Sequence, residues 1–129
     1  MNINSLHWSF ILIGSLATIL SIVIVLRKKK HFLYYHKILS VIGFILIDFS
    51  ILAIYFKNTK INLSFTHGIF GFLFFILSII NIVLGIFYTG KINPNIKKNV
   101  RVKHVWIGRI IFILLILNII IGYFYFKPF

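Results

Sequence analysis

Four long runs rich in Ile, Leu, Phe and Val alternate with short polar connections along the chain: Trp8–Leu26, Lys37–Phe56, Thr66–Thr89 and Val105–Phe126. About 20 residues at about 1.5 Å each cross a hydrocarbon core of about 30 Å, so each run is long enough to span a bilayer as a helix. The pattern predicts an all-α protein, a transmembrane up-down-up-down four-helix bundle forming one domain over residues 1–129. Pro94 and Pro128 stand outside the runs, so the spans are expected to be free of proline kinks.

Polar and small residues inside the runs are not scattered. The first run reads His7, Gly14, Ser21 and the second His36, Gly43, Ser50, both H-x6-G-x6-S. The third reads His67, Gly71, Asn81, Gly85 and the fourth His104, Gly108, Asn118, Gly122, both H-x3-G-x9-N-x3-G. At about 100° per residue these offsets all return to within about 40° of the histidine's face. Each helix therefore carries one stripe of histidine, small and amide side chains, which must face inward because lipid would leave its polar atoms unpaired.

Composition sharpens the membrane reading. Of 129 residues, 60% are hydrophobic and 12% charged, more apolar surface than a soluble domain of this size can hide. Fourteen Lys plus Arg stand against a single acid, Asp48. In a soluble chain that balance points to nucleic acid. Here the cations lie in the connections, Arg27–Lys30 with Lys37 after the first run and Lys91, Lys97, Lys98, Arg101 and Lys103 after the third, so nucleic acid is not an expected partner. The middle connection has only Lys57 and Lys60, and the C-terminus Lys127. The positive-inside rule then puts both termini outside and the first and third connections in the cytoplasm, with attraction to anionic headgroups accounting for much of the excess. Residues 1–6 carry no Lys or Arg and no small-residue cleavage site precedes the basic run, so the first run is expected to be a retained helix. With no cysteine, disulfides, iron–sulfur clusters, thiolate metal sites and covalent haem attachment are excluded.

On that topology His7 and His67 enter their helices from the outer face and His36 and His104 from the cytoplasmic face. Helices one and three, and two and four, are diagonal in such a bundle, so each pair faces across the core where bundles build cofactor sites. Zinc and copper prefer ligands gathered about one centre, whereas bis-imidazole haem needs two facing histidines per iron. Iron ligation by His7, His67, His36 and His104 in two non-covalent b-type haems is therefore expected. Gly14, Gly43, Gly71, Gly85, Gly108 and Gly122 have two readings: close helix packing, or room for a flat macrocycle. Gly85 and Gly122 lie about 27 Å along the helix from their own histidines, near the opposite face. Asn81 and Asn118 read either as interhelical hydrogen-bond partners or as contacts to a haem edge. Arg109, five residues after His104, reads as a propionate partner or a snorkelling cation. Trp8 and Trp106 read as interfacial belt residues and His31 as solvent-facing. Asp48, in mid-helix, reads as protonated or hydrogen-bonded.

The segments LHWSFILIG, YYHKILSVIG, FTHGIFGFLFFILSIINIVLGIF and VKHVWIGRIIFILLILNIIIGYF resemble the cytochrome b561 family, over nearly the whole chain from His7 to Phe126. The resemblance implies a four-helix core binding two b-type haems, His7 with His67 on the outer one and His36 with His104 on the inner. It implies single-electron transfer across the membrane, between a small donor or quinone on one face and an acceptor on the other. Two departures stand out. The flanking helices of eukaryotic members are missing, and the second histidine that many carry one turn after the inner ligand is replaced by Ser40. The compact form looks like a prokaryotic member, in a plasma (inner) membrane. Ascorbate, a familiar donor in the eukaryotic branch, is not expected here.

Two other classes stay open at this stage. One is a single-haem membrane anchor exchanging electrons between quinone and a partner protein. The other is a haem-free transporter or packing protein. A homodimer is compatible with each. No nucleotide motif or nucleophile constellation is present, so hydrolase and transferase chemistry are not expected.

Overall fold

A computed structural model describes residues 3–27, 31–58, 66–90 and 93–126, with the side chains of 3, 4, 55, 57, 58, 125 and 126 left aside. Lys28–Lys30 of the first basic run, Lys60 with the rest of the middle connection, Lys91 and Lys127 lie outside the described residues. The described residues form four helices: α1 (Ile3–Arg27), α2 (Phe32–Asn58), α3 (Thr66–Thr89) and α4 (Pro94–Phe126). No strand occurs among the described residues. All four helices are long and apolar enough to cross a membrane. Many of their residues are β-branched, which weakens a helix in water. In lipid every backbone N–H and C=O must be paired within the segment, and that requirement overrides side-chain preference.

The surface is inverted relative to a soluble protein. Leu12, Ile13, Leu16, Leu20, Ile45 and Phe49 point outward, while Ser15, Thr18, Ser21, Ser50, Ser78, Asn81 and Asn118 are buried. Only a hydrocarbon solvent makes that distribution favourable. Ser15 and Thr18 donate to the carbonyls of Ile11 and Gly14 one turn back, at 2.6 and 2.9 Å, so their hydroxyls are satisfied within the helix.

The helices sort into two compact units, α1 with α2 and α3 with α4, each an antiparallel pair. In the first, Phe10 of α1 packs edge-on against Phe49 of α2 with ring centroids 5.5 Å apart. Ile11, Phe44 and Ile47 are its buried apolar residues, and Phe74, Ile111 and Leu115 are those of the second.

Helix α3 has the bounds expected from the sequence, but the others start earlier. His7 and His36 each lie about one turn inside their helices instead of at the entrance, and α4 begins eleven residues before Val105. The reason for the last is a cap. Asn93 Oδ1 accepts the N–H of Asn95 at 2.9 Å and its carbonyl accepts the N–H of Lys97 at 2.9 Å, with Pro94 in the first helical position, where a missing N–H costs nothing. The basic residues Lys97, Lys98, Arg101 and Lys103 are therefore helical, not a loop. Asn93→Ala is expected to cost about 1 kcal/mol of helix stability, seen as faster amide exchange at residues 95–98 with the membrane-length part of α4 unchanged. At the start of α2, His31 is exposed, as expected, and takes a positive φ of 61°, while its carbonyl accepts the N–H groups of Tyr34 and Tyr35. Histidine is among the few side chains enriched in that left-handed region.

Candidate functional site

In the α1–α2 pair, His7 and Ser21 each stand seven residues from Gly14, and His36 and Ser50 each stand seven from Gly43. Laying the two helices antiparallel with glycine on glycine brings His7 to Ser50 and Ser21 to His36. The structure has this register. His7 Nδ1–H donates to Ser50 Oγ at 2.6 Å, and Ser50 Oγ–H donates to the His7 carbonyl at 3.2 Å. At the other end His36 Nδ1–H donates to Ser21 Oγ at 2.6 Å. Ser40 Oγ lies 2.6 Å from Ser21 Oγ and donates to the His36 carbonyl at 2.6 Å.

The glycines at the crossing serve the backbone. A Cβ on Gly14 would lie 2.7 Å from Ile47 Cγ1 and 2.8 Å from the Gly43 carbonyl oxygen. On Gly43 it would lie 2.5 Å from Thr18 Oγ1 and 2.8 Å from the Gly14 carbonyl oxygen. The space left by each missing side chain is filled by the partner helix, so of the two sequence readings close packing is the one this pair displays.

The α3–α4 pair uses a different anchor. His67 Nδ1–H donates to the backbone carbonyl of Asn118 at 3.1 Å, and His104 Nδ1–H to that of Asn81 at 3.0 Å. A helical carbonyl is normally hidden behind the side chain four residues on. In both repeats that residue is glycine, Gly85 after Asn81 and Gly122 after Asn118. A Cβ on Gly85 would lie 3.2 Å from His104 Cε1, so its absence gives the imidazole its seat. Gly122 is buried at the equivalent place after Asn118. Gly71 and Gly108 face the amides, where a Cβ would make an ordinary contact at 3.4 Å with Asn118 Nδ2 or Asn81 Nδ2. The N-x3-G ending is thus a device for exposing a main-chain acceptor to a ring on the neighbouring helix. At the same time Asn81 Oδ1 and Asn118 Oδ1 are buried without a hydrogen-bond partner, a polar demand left unmet beside each histidine.

All four histidines therefore share one tautomer. A carbonyl can only accept, so Nδ1 carries the proton at His67 and His104. At His7 and His36 the serine hydroxyl could play either role, but Nδ1 also lies 3.3 Å from the Ser50 carbonyl and 3.4 Å from the Ser21 carbonyl, which can only accept, so Nδ1–H is the assignment that serves both contacts. The lone pair is on Nε2 in each case. That is the arrangement of metal-ligating histidines, which as a rule give their other N–H to a carbonyl, carboxylate or water and are oriented by it. Among the described residues no group of three His, Cys, Asp or Glu side chains converges on a single point.

Arg109, paired with a propionate or a headgroup in the sequence reading, is exposed and stacks over the Trp106 ring, 5.0 Å from its centroid. Trp8 lies edge-on to the His7 ring at 6.2 Å. Ser21 and Ser50 were visible in the seven-residue repeat but carried no mark of their role, and Ser40 looked only like a missing histidine.

A family model described as eukaryotic cytochrome b561 matches residues 6–128. No curated protein and no solved structure matches the chain. The expectation of a prokaryotic-type member is not borne out, because the family model that matches is the eukaryotic one. With all four anchored histidines inside a match of nearly the full length, on four membrane-length helices, the chain belongs to the cytochrome b561 family of membrane-integral, b-type haem electron-transfer proteins.

Proposed function

We propose that this protein holds two b-type haems, one near each face of the membrane, and moves single electrons between them. The observation that carries the reading is the fixed tautomer of His7, His36, His67 and His104, each anchored through Nδ1 to the neighbouring helix of its pair. The residues fit the group: four histidine Nε2 atoms on half-buried side chains of long apolar helices.

Geometry within each pair supports the division of ligands. His36 lies opposite Ser21, fourteen residues from His7 along α1, and His104 lies opposite Asn81, fourteen from His67 along α3. At about 1.5 Å per residue the two histidines of one pair are about 21 Å apart along the helix axis, too far to share an iron. Each haem then takes one histidine from each pair. The up-down order of the helices couples His7 with His67 and His36 with His104, in a single four-helix bundle. A haem held by these histidines would supply one-electron exchange. The protein's own part is to hold each ring in plane through its Nδ1 hydrogen bond, to keep the Nε2 lone pair directed away from it, and to exclude water with the surrounding Ile, Leu and Phe. The excess of Lys and Arg between the first and second runs and between the third and fourth supports an orientation with both termini on the outer side. Donor and acceptor are small diffusible molecules or quinone, a reading supported by the shortness of the middle connection, Lys57–Phe65, in the sequence.

The test is a reduced-minus-oxidised spectrum of the purified protein with haem quantified per chain. Two low-spin b-type haems per chain are expected. One haem would replace this reading with a membrane anchor. A protein without a Soret band after haem-supplemented expression would overturn it.

A further inference from the structure

The four Nδ1 anchors match in pairs: 2.6 Å to a serine hydroxyl at both His7 and His36, and 3.1 and 3.0 Å to a carbonyl at His67 and His104. What breaks the symmetry is the residue one turn after the histidine in the first pair. After His36 it is Ser40. After His7 it is Ile11, a buried hydrocarbon. We propose that Ser40 is a positioning residue that sets the redox potential of the site held by His36 below that of the site held by His7. The inference rests on the two-haem reading above.

With the proton on Nδ1, the hydrogen bonds around His36 can all run in one direction and close on the residue itself. His36 Nδ1–H donates to Ser21 Oγ, Ser21 Oγ–H to Ser40 Oγ, and Ser40 Oγ–H to the His36 carbonyl, each at 2.6 Å. The other acceptor open to the Ser21 proton, the His36 carbonyl, is at 3.3 Å. At the His7 end the corresponding proton, on Ser50, has its carbonyl acceptor at 3.2 Å. A hydroxyl that donates a short bond becomes a better acceptor, because successive hydrogen bonds polarise one another in a low-dielectric interior. Ser21 therefore draws the Nδ1 proton of His36 more strongly than Ser50 draws that of His7. Stronger pull at Nδ1 makes Nε2 more electron-donating toward a bound metal. More donation favours ferric over ferrous iron and lowers the potential. The two centres are then unequal, and an electron rests preferentially at the His7 end. That builds a slope from the side of the basic first connection toward the side of the N-terminus, a direction the helix topology by itself does not supply.

The experiment is a potentiometric titration of the haem-loaded protein in nanodiscs, followed at the haem α-bands, for wild type, Ser40→Ala, Ser40→Thr and Ile11→Ser. Wild type is expected to titrate in two separated one-electron steps. Ser40→Ala raises the lower step, changing its ferric-to-ferrous ratio at a fixed applied potential severalfold, and Ser40→Thr, which keeps the hydroxyl, restores it. Ile11→Ser supplies the missing link at the other end and lowers the upper step. A merely structural loss does not produce shifts of opposite sign on different haems. If both haems are present and Ser40→Ala moves neither step, the inference is overturned while the two-haem reading stands. Should Ser40→Ala not take up haem, Ile11→Ser decides alone, and an unmoved upper step overturns the proposal. A wild-type protein with fewer than two haems overturns both.

Discussion

Alanine at His36 or at His104 is expected to abolish the same haem, and alanine at His7 or His67 the other. Each single variant should fall from two haems per chain to one. A double variant His36→Ala/His104→Ala should be no worse than either single, whereas His36→Ala/His67→Ala should bind none. The expectation follows from distances inside each helix pair. Fourteen residues, about 21 Å, separate the two histidines of a pair along the helix axis, so they cannot serve one iron. Among the described residues no further His, Cys, Asp or Glu joins these histidines in a metal-binding cluster, so a lost ring has no clustered replacement there. Serial loss measured by haem content and by the amplitude of the α-bands gives the pairing directly. If His7→Ala and His36→Ala removed the same haem, the assignment of one ligand from each pair would be wrong.

Much of this was legible before any coordinates. The repeats around the histidines are a statement about helix faces, and Gly14, Ser21, Gly43, Ser50, Gly71, Asn81, Asn118 and Gly122 are all buried, as the inward stripe requires. The bounds of α3 were also readable, because Thr66 and Thr89 flank a run rich in apolar residues and free of Lys, Arg, Asp and Glu. The start of α4 was not, although its Asn93–Pro94 cap is written in the sequence. Hydrophobic runs report the part of a helix that lies in lipid, and the first three turns of α4 are polar and lie before that part. The anchors were hidden for a different reason. A backbone carbonyl has no letter of its own, so the acceptors at Asn81 and Asn118 appear only once two helices are placed side by side. For the glycines the sequence cannot say what fills the space of a missing Cβ. In the first pair it is the neighbouring backbone, and at Gly85 it is the His104 ring. One residue type in one kind of stripe thus has two separate uses.

That distinction has a large consequence at Gly43. Gly43→Ala is expected to destabilise the α1–α2 pair by about 1–3 kcal/mol, in the range for overpacking a tight contact. The added Cβ meets Thr18 Oγ1 at 2.5 Å and the Gly14 carbonyl oxygen at 2.8 Å, and the second of these is main chain that cannot rotate away. The gain in helix propensity from glycine to alanine, up to about 1 kcal/mol, offsets only part of that. Gly43→Leu is expected to separate the two helices altogether. Because both serine anchors lie two turns from the crossing, one on each side, that single substitution releases His7 from Ser50 and His36 from Ser21 together. It should therefore cost both haems, where any histidine variant costs one. Ile13→Leu, on the exposed apolar face of α1, is the control and should leave haem content and unfolding unchanged. Unfolding in mixed micelles followed by helical circular dichroism, with haem counted on the same samples, separates the outcomes. A Gly43→Leu protein retaining both haems would mean that the glycine crossing does not set the register on which both histidines depend.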